Sequence, residues 1–572
     1  MRLGFRLALV LVLALAVRVA NLTAIASLPV ASYQENWAAT DMAVNVAWAD
    51  AIRNGDWLGR RTVHPFTLFM AMIAPKATWE RWWGGASVFH QAPLYAYVLA
   101  GIRAAFGTDF WSVALGHLLL GLGSVALVFL VAARTFDANV ATLAAAGAAL
   151  YGPLVFHEAV WLRDTLAVTT SLLMLWTLGR APDGGWVRWL VAGMTAALAL
   201  LTRETVLLFA PLALLWAGRQ LRGRTRWTGL AALACGLGLG LAPLIARNVV
   251  VDAPLFSFST RAIEGFVYGH AADGSPTDLV IPKSARRILG EADGSLWRTV
   301  WLTLATHESV PALLAWEARK LGAVVSSYEP ADNVNWYYFA ERSPVLRFGP
   351  PYALVLGLAV VGLWLERQRG PKERLLRWFV VATVAGLMYA TVVGRYRLVL
   401  VVGLLPYAAA TLVRLVAWVR LRAWRPAALT TAVAAGLALL STRLLADQRM
   451  QLEYRLNEPI ITAIRLWEDR GDADAAFAEL RLGLARAWRP PGGRNVFPGG
   501  YEALKALMIL SDRSGRPADV LPDLEAMLEA YPEDPVLQEY VGEHWRDRMG
   551  DEARAAEYFA RAEQIRERIR RR

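Results

Sequence analysis

With 572 residues the chain exceeds one ordinary domain, its hydrophobic fraction is 56% and its formal net charge is +12. Its apolar residues gather into long runs that a soluble core does not need, which argues against a wholly water-soluble protein. The basic surplus follows membrane topology rather than a nucleic-acid footprint, since acidic residues outnumber basic ones in the segment 447 to 572.

About 20 mostly apolar residues cross roughly 30 Å of hydrocarbon as a helix, because lipid offers no partner to an open backbone group. Runs of this kind lie near residues 5 to 24, 111 to 133, 138 to 156, 159 to 179, 186 to 202, 204 to 218, 227 to 246, 350 to 366, 376 to 394, 397 to 418 and 427 to 446. They make an all-α, polytopic chain of about 11 spans, the two on either side of Arg203 being short. Basic residues cluster in alternate connections: Arg2 and Arg6; Arg134; Arg180 and Arg188; Arg219, Arg222, Arg224 and Arg226; Arg367, Arg369, Lys372, Arg374 and Arg377; Arg414, Arg420, Arg422 and Arg425. With these inside, the N-terminus is cytoplasmic and the segments 25 to 110, 247 to 349 and 447 to 572 lie outside. Arg2, Arg6, the apolar stretch 7 to 17 and Ala24-Ile25-Ala26 also have the form of a cleavable secretory signal. A retained span is the reading preferred here, and either outcome leaves the following segment outside.

In the first outer loop, Met42, Val46, Ala49 and Ile52 share one face of a helix over 41 to 53, with Trp37, Trp48, Trp57, Trp79, Trp82 and Trp83 around it. This pattern predicts an interfacial helix with indoles at headgroup depth. Asp41 opens the helix. An Asp there is most often an N-cap, occupied by backbone amides and a poor base. Cys235 falls inside a span as a small core residue, and as the only cysteine it excludes a disulfide framework and a cysteine metal site. His117, also in a span, fits a packed residue better than a ligand. Beyond the spans, Gly515, Val520, Leu524 and Met527 reappear 35 residues on as Gly550, Ala555, Phe559 and Ala562, with Pro532 between. That period predicts tetratricopeptide-like helix pairs over 447 to 572, with further helices near 473 to 488 and 499 to 512. Such a domain serves either as a partner-binding groove or as a helical cap on the outer loops.

The string Asp41-Met42-Ala43-Val44-Asn45-Val46-Ala47-Trp48-Ala49-Asp50-Ala51-Ile52-Arg53-Asn54-Gly55-Asp56-Trp57-Leu58 resembles the first-loop signature of the GT-C fold glycosyltransferases. These include the protein O-mannosyltransferases, the lipid A aminoarabinose transferases and lipopolysaccharide sugar transferases. His90-Gln91-Ala92-Pro93-Leu94-Tyr95-Ala96-Tyr97 looks like the second loop motif of that group. Glu158 through Arg163-Asp164, Leu201-Thr202-Arg203, Arg247-Asn248 and Arg395-Tyr396-Arg397 are similar to later ones, in order, over roughly residues 1 to 420. No single motif is specific; their order and shared outer placement are.

The resemblance implies inverting transfer of a sugar from a polyprenyl-phosphate lipid to a hydroxyl acceptor on protein, lipid or glycan. It places the reaction on the extracytoplasmic face of a bacterial plasma (inner) membrane. A carboxylate must take the acceptor proton and cations must meet the leaving phosphate, with no general acid needed. Asp41 matches the base of the family. Glu158 and Asp164 are second acidic candidates, the alternative being a charged turn paired with Arg163. His90, Gln91, Arg163, Arg203, Arg247, His270, Arg395 and Arg397 are candidates for the donor phosphate or its lipid, Arg203 because it is set below the surface, with a snorkelling arginine as its alternative. Where some family members carry a lysine in the second loop motif, this chain has Gln91, a neutral amide that brings no charge. Neutralisation then falls to arginine, to His90 or His270 if protonated, or to a divalent metal that the sequence does not indicate. The expected partners are membrane lipid, donor, acceptor and a protein partner at 447 to 572, without nucleic acid. A non-catalytic scaffold in which Asp41 is only a cap, and a transporter, are the competing classes. Short loops and inverted repeats, which a transporter favours, are missing from the sequence pattern.

Overall fold

The computed structural model describes residues 3–38, 40–60, 63, 64, 66, 68–85, 87–445, 456–487 and 498–571, and no strand occurs among the described residues. Arg2, the end of the segment 473 to 488 and the inferred domain boundary at 446 to 447 lie outside them. The chain divides into two compact units, one of Met1–Ala26 and Ala31–Asp447, the other of Ser27–Val30 and Gln448–Arg572.

In the first unit helix occupies most of each apolar run among the described residues. Five described helices are long and apolar enough to cross a membrane: Leu3–Ala26, Phe110–Thr135, Thr225–Val250, Pro344–Leu365 and Gly394–Arg420. The remaining runs form shorter helices, among them Ala138–Leu150, Asp164–Arg180, Trp186–Thr202, Ala210–Gln220, Pro371–Met388 and Trp424–Arg443. Together they make a multi-pass membrane protein. The turns are chemically defined. Asp109 accepts from the amides of Trp111 and Ser112 at 2.9 and 3.1 Å, and Asp137 does the same for Asn139 and Val140, so each following helix starts with two of its orphan donors satisfied. Small residues let neighbours close up: a Cβ on Gly193 would strike the Leu233 carbonyl and one on Gly236 the Leu190 carbonyl, so Trp186–Thr202 and Gly223–Val250 meet backbone to backbone.

The first-loop helix forms at Asp41–Arg53 as expected, and Met42, Val46, Ala49 and Ile52 are buried. Its surroundings overturn the interfacial expectation. The helix packs against Leu94–Phe106, and Trp48, Trp79, Trp82 and Trp83 are buried in protein, while Trp57 is exposed. The indoles pack on one another and on Phe89, Trp79 making a near-perpendicular contact with Trp82 at 5.1 Å. Amphipathic spacing identifies a buried face without saying whether lipid or protein covers it.

The second unit is a row of helices: Asn457–Arg470, Ala473–Ala487, Pro498–Arg513, Leu521–Ala530, Pro535–Asp547 and Glu552–Arg570. Gly515 and Gly550, the glycines of the 35-residue period, both turn the chain at left-handed φ of 69° and 68°. Val520, Leu524 and Met527 are buried and so are Ala555 and Ala562, whereas Phe559 is half-buried against Gly542.

A buried ion pair ties the first helix to the rest of the first unit. Arg18 donates from Nε and Nη2 to the two Glu158 oxygens at 2.7 Å each, and its Nη1 reaches the Ala149 carbonyl at 3.1 Å. Gly121 has no side chain because a Cβ there would meet the Glu158 carboxylate. Arg18→Met should destabilise the protein by about 3 to 5 kcal/mol by leaving Glu158 buried and unpaired. Adding Glu158→Gln should recover most of that loss, read as the thermal midpoint of the purified protein in detergent.

Candidate functional site

The polar residues of the site come from places where helices stop. Asp41 is the first residue of its helix, and the cap is Thr40, whose hydroxyl faces the Ala43 amide at 3.5 Å. The Asp41 carboxylate is therefore not spent on its own helix. Oδ1 accepts from Gln91 Nε2 at 2.8 Å, and Oδ2 accepts from Arg395 Nη2 at 2.7 Å and from Asn333 Nδ2 at 3.2 Å. The Asp41 backbone amide donates to Asn333 Oδ1 at 2.6 Å, so Asn333 grips both ends of the residue.

Arg395 sits in the 3-10 turn Gly394–Arg397 and is shared by three carboxylates. Besides Asp41 it donates from Nε to Asp332 at 2.6 Å and from Nη1 to Asp164 at 3.1 Å. Asp164 in turn accepts from Arg203, and the guanidinium groups of Arg203 and Arg395 both stack on Tyr396, 4.6 and 4.7 Å from its ring centre. Burial alone would raise the Asp41 pKa. Arg395, followed by Arg261 and Arg163, overcomes this and holds the carboxyl well below the usual carboxylate range.

A cavity of about 300 Å³ lies against this cluster. Arg163, Arg203 and Arg261 line it, and most of the remaining wall is hydrocarbon, including Leu207, Leu208, Phe209, Leu279, Phe379 and Leu387. Arg163 Nε and Nη1 and Arg203 Nε find no hydrogen-bond acceptor among the described residues, with Glu204 3.8 Å from Arg163 Nη1. His90 is buried against Thr260 at 3.2 Å and Arg261 at 3.3 Å. Burial, then Arg261, drives its pKa well below 6.5, so it is neutral and adds no charge. Glu264, 3.6 Å from His90, is pushed up to about 7 by burial, against the pull of Arg261. The cations of the cavity are therefore arginines. No group of three or more His, Cys, Asp or Glu placed to hold a metal occurs among the described residues.

The structure brings together Asp41, Gln91, His90, Arg163, Asp164, Arg203 and Arg395 from the sequence candidates. Four others are engaged elsewhere. Glu158 is held by Arg18. Arg247 donates to the Leu58 and Gly59 carbonyls at 2.8 and 2.6 Å and lies over Phe89. Arg397 bonds the Ser326 and Tyr328 carbonyls and pairs with Glu329 at 2.7 Å, which secures the segment carrying Asp332 and Asn333. His270 contacts Lys320 at 3.0 Å and Glu317 at 3.4 Å, and burial followed by Lys320 lowers its pKa to about 3. The alternative of a turn paired with Arg163 does not hold, since Glu158 pairs with Arg18, Asp164 with Arg203 and Arg395, and Arg163 lies 3.8 Å from Glu204. Gln91 spends its amide on Asp41. Sequence reasoning missed Asp332, Asn333 and Arg261. Asn333 and Asp41 are 292 positions apart, and no spacing rule connects them.

Residues 90–245 match the model of the family described as dolichyl-phosphate-mannose-protein mannosyltransferase, a stretch that holds Gln91, Asp164 and Arg203 but neither Asp41 nor Arg395. No curated protein sequence matches the chain. Among solved structures it is similar to ArnT from Cupriavidus metallidurans bound to undecaprenyl phosphate, at 15% identity and a TM-score of 0.43, over 92% of this chain and 81% of that one. It is also similar to the apo oligosaccharyltransferase of Archaeoglobus fulgidus, at 14% identity and a TM-score of 0.41 over 86% of this chain. The chain spans 60% of the length of that enzyme.

The raised Glu264 pKa has a consequence for stability. A carboxyl that binds its proton more tightly folded than unfolded stabilises in full below its unfolded value of 4.5, and the contribution is lost as pH rises through about 7. The thermal midpoint should fall between pH 5 and pH 8 by more in the wild type than in Glu264→Gln.

Proposed function

We propose that this protein is a membrane glycosyltransferase that moves a sugar, with inversion, from a polyprenyl-phosphate donor to a hydroxyl acceptor, with Asp41 as the general base. The observation that carries this reading is the cavity itself, lined by three arginines, Arg163, Arg203 and Arg261, with one carboxylate, Glu204, and by hydrocarbon elsewhere, which suits a phosphate on an apolar chain. Its volume suits the phosphate end of such a lipid, the rest of the tail running out into the bilayer.

The chemistry follows from the charges. The acceptor hydroxyl donates to the Asp41 carboxylate and attacks the anomeric carbon from the face opposite the phosphate. The new C–O bond forms as the bond to the phosphate oxygen breaks, the proton passes to Asp41, and the phosphate leaves with its charge met by Arg163, Arg203 and Arg261. A carboxylate with so low a pKa is a weak base while the cavity is empty. An anionic phosphate seated among those arginines cancels part of their field, so donor binding strengthens the base. That order, donor before acceptor, keeps the acceptor proton in place until there is a sugar to transfer. The segment 447 to 572 is an acceptor- or partner-binding element in this reading.

Two measurements test it. Asp41→Asn keeps the shape and, since Thr40 is the cap, the start of the helix, but gives up the charged hydrogen bond from Arg395, so turnover is compared at equal membrane insertion with the thermal midpoint measured beside it. Turnover should fall by about 100 to 10,000-fold with donor affinity largely kept, and turnover within about threefold of wild type would end the claim that Asp41 is the base. A topology reporter fused after Arg572 should read as extracytoplasmic; a cytoplasmic signal would remove one span from the count.

A further inference from the structure

Two neighbouring helices of the segment 247 to 349 carry an apolar face that no described part of the protein covers. In Leu296–Leu304, Trp297 and Trp301 are 81% and 73% exposed, one turn apart, while Thr299 and Thr303 are buried. In Val310–Val325, Trp316, Lys320, Ala323 and Val324 face inward. Val310, Leu314, Ala318 and Leu321 face outward at helical spacing, Val310 and Leu314 being 68% and 63% exposed. A water-facing helix would carry charge there.

The level of these helices in the molecule is set by hydrogen bonds to the ends of the apolar helices. Lys320 Nζ donates to the Met388 carbonyl at 2.5 Å, where Pro371–Met388 ends. The Val325 carbonyl accepts from Ser441 Oγ at 2.7 Å, and Ser327 N donates to the Ser441 carbonyl at 2.9 Å, beside the end of Trp424–Arg443. Tyr352, the first residue of its helix, donates from its hydroxyl to the Val324 carbonyl at 2.8 Å. Three apolar helices thus end at the height of Val310–Val325. Two of these apolar helices also expose hydrocarbon side chains, at Val381, Leu439 and Leu440. Exposed Arg298 and Arg319 border the face, with Glu308 the exposed acid between the two helices.

We infer that the helices Leu296–Leu304 and Val310–Val325 are an in-plane membrane anchor, seated with Trp297, Trp301, Leu314 and Leu321 in the headgroup and acyl boundary of the leaflet on the Asp41 side. Indoles and aliphatic side chains favour that boundary, and arginines beside them meet lipid phosphates. Leu296 also lines the cavity, so the anchor forms part of the cavity wall and sets the depth of its opening in the leaflet. That last step rests on the donor reading above; the anchoring does not.

The test uses the full chain with Cys235→Ala, single cysteines at Trp301, Leu314 or Ala318, and a nitroxide label on each. The protein is placed in nanodiscs of phosphatidylcholine and phosphatidylglycerol, one copy per disc. Glu525→Cys, exposed on the second unit, is the water reference, and Leu439→Cys, exposed on an apolar helix, the lipid reference. The anchor requires the labels at 301, 314 and 318 to be relaxed more by oxygen than by a water-soluble nickel chelate, as at 439. Nickel accessibility like that at 525 overturns it, as does protection that appears only with two copies in a disc, which would make the face a contact between copies. Trp297→Glu combined with Trp301→Glu should raise KM for the lipid donor at least about fivefold with kcat within about twofold. An unchanged KM with lipid-immersed labels would sink the cavity-wall step alone. Absence of any transfer by the wild type would fault the donor reading and leave the anchor intact.

Discussion

The Arg395 guanidinium holds the site together. Asp41, Asp164 and Asp332 come from three distant parts of the chain and would repel one another in a buried place. One planar cation with its donors directed at all three makes their convergence stable, and its fork geometry places each carboxylate at a fixed angle to the others. Arg203 balances Asp164, while Arg261 and Arg163 add to the field at Asp41. The cluster is at once the structural joint between the long helix that begins at Leu398 and three other elements, and the electrostatic setting of the candidate base. A substitution at Arg395 would therefore break three ion pairs at once, whereas one at Asp41 breaks a single one.

Geometry then divides labour among the arginines. Arg247 and Arg397 spend their donors on backbone carbonyls and hold loops in place. Arg163 and Arg203 keep guanidinium nitrogens without an acceptor at the cavity. Arg261 is close enough to depress Asp41, and Glu264 beside it, with its raised pKa, cancels little of that charge below neutral pH. A buried cation is costly unless something compensates it, so these unspent donors set Arg163 and Arg203 apart from the arginines that hold loops.

Much of this was legible beforehand because hydrophobic runs and helix ends are local properties. Most of each apolar run is helical among the described residues, and the helix Asp41–Arg53 begins at the residue singled out for chemistry. Gln91, Arg163, Asp164, Arg203 and Arg395 were named from the order of motifs along the chain, and they meet in space with Asp41. Partners were not legible. Whether Asp41 capped its helix depended on Thr40, a neighbour equally able to cap. Whether Glu158 faced the site depended on Arg18, 140 positions away. The tryptophans of the first loop were assigned to lipid although protein covers most of them, while the exposed pair, Trp297 and Trp301, lay in a segment without a distinctive motif.

The sequence by itself determined that this chain is helical, that it belongs in a membrane, and which polar residues stand at the ends of its spans. Each of these follows from composition and periodicity over one or two dozen neighbours. The tertiary structure alone decided which carboxylate shares which arginine, which arginines keep donors to spare, and which amphipathic face is left for lipid. Those outcomes depend on contacts between residues tens to hundreds of positions apart, where a difference of a few ångströms separates a paired charge from a free one.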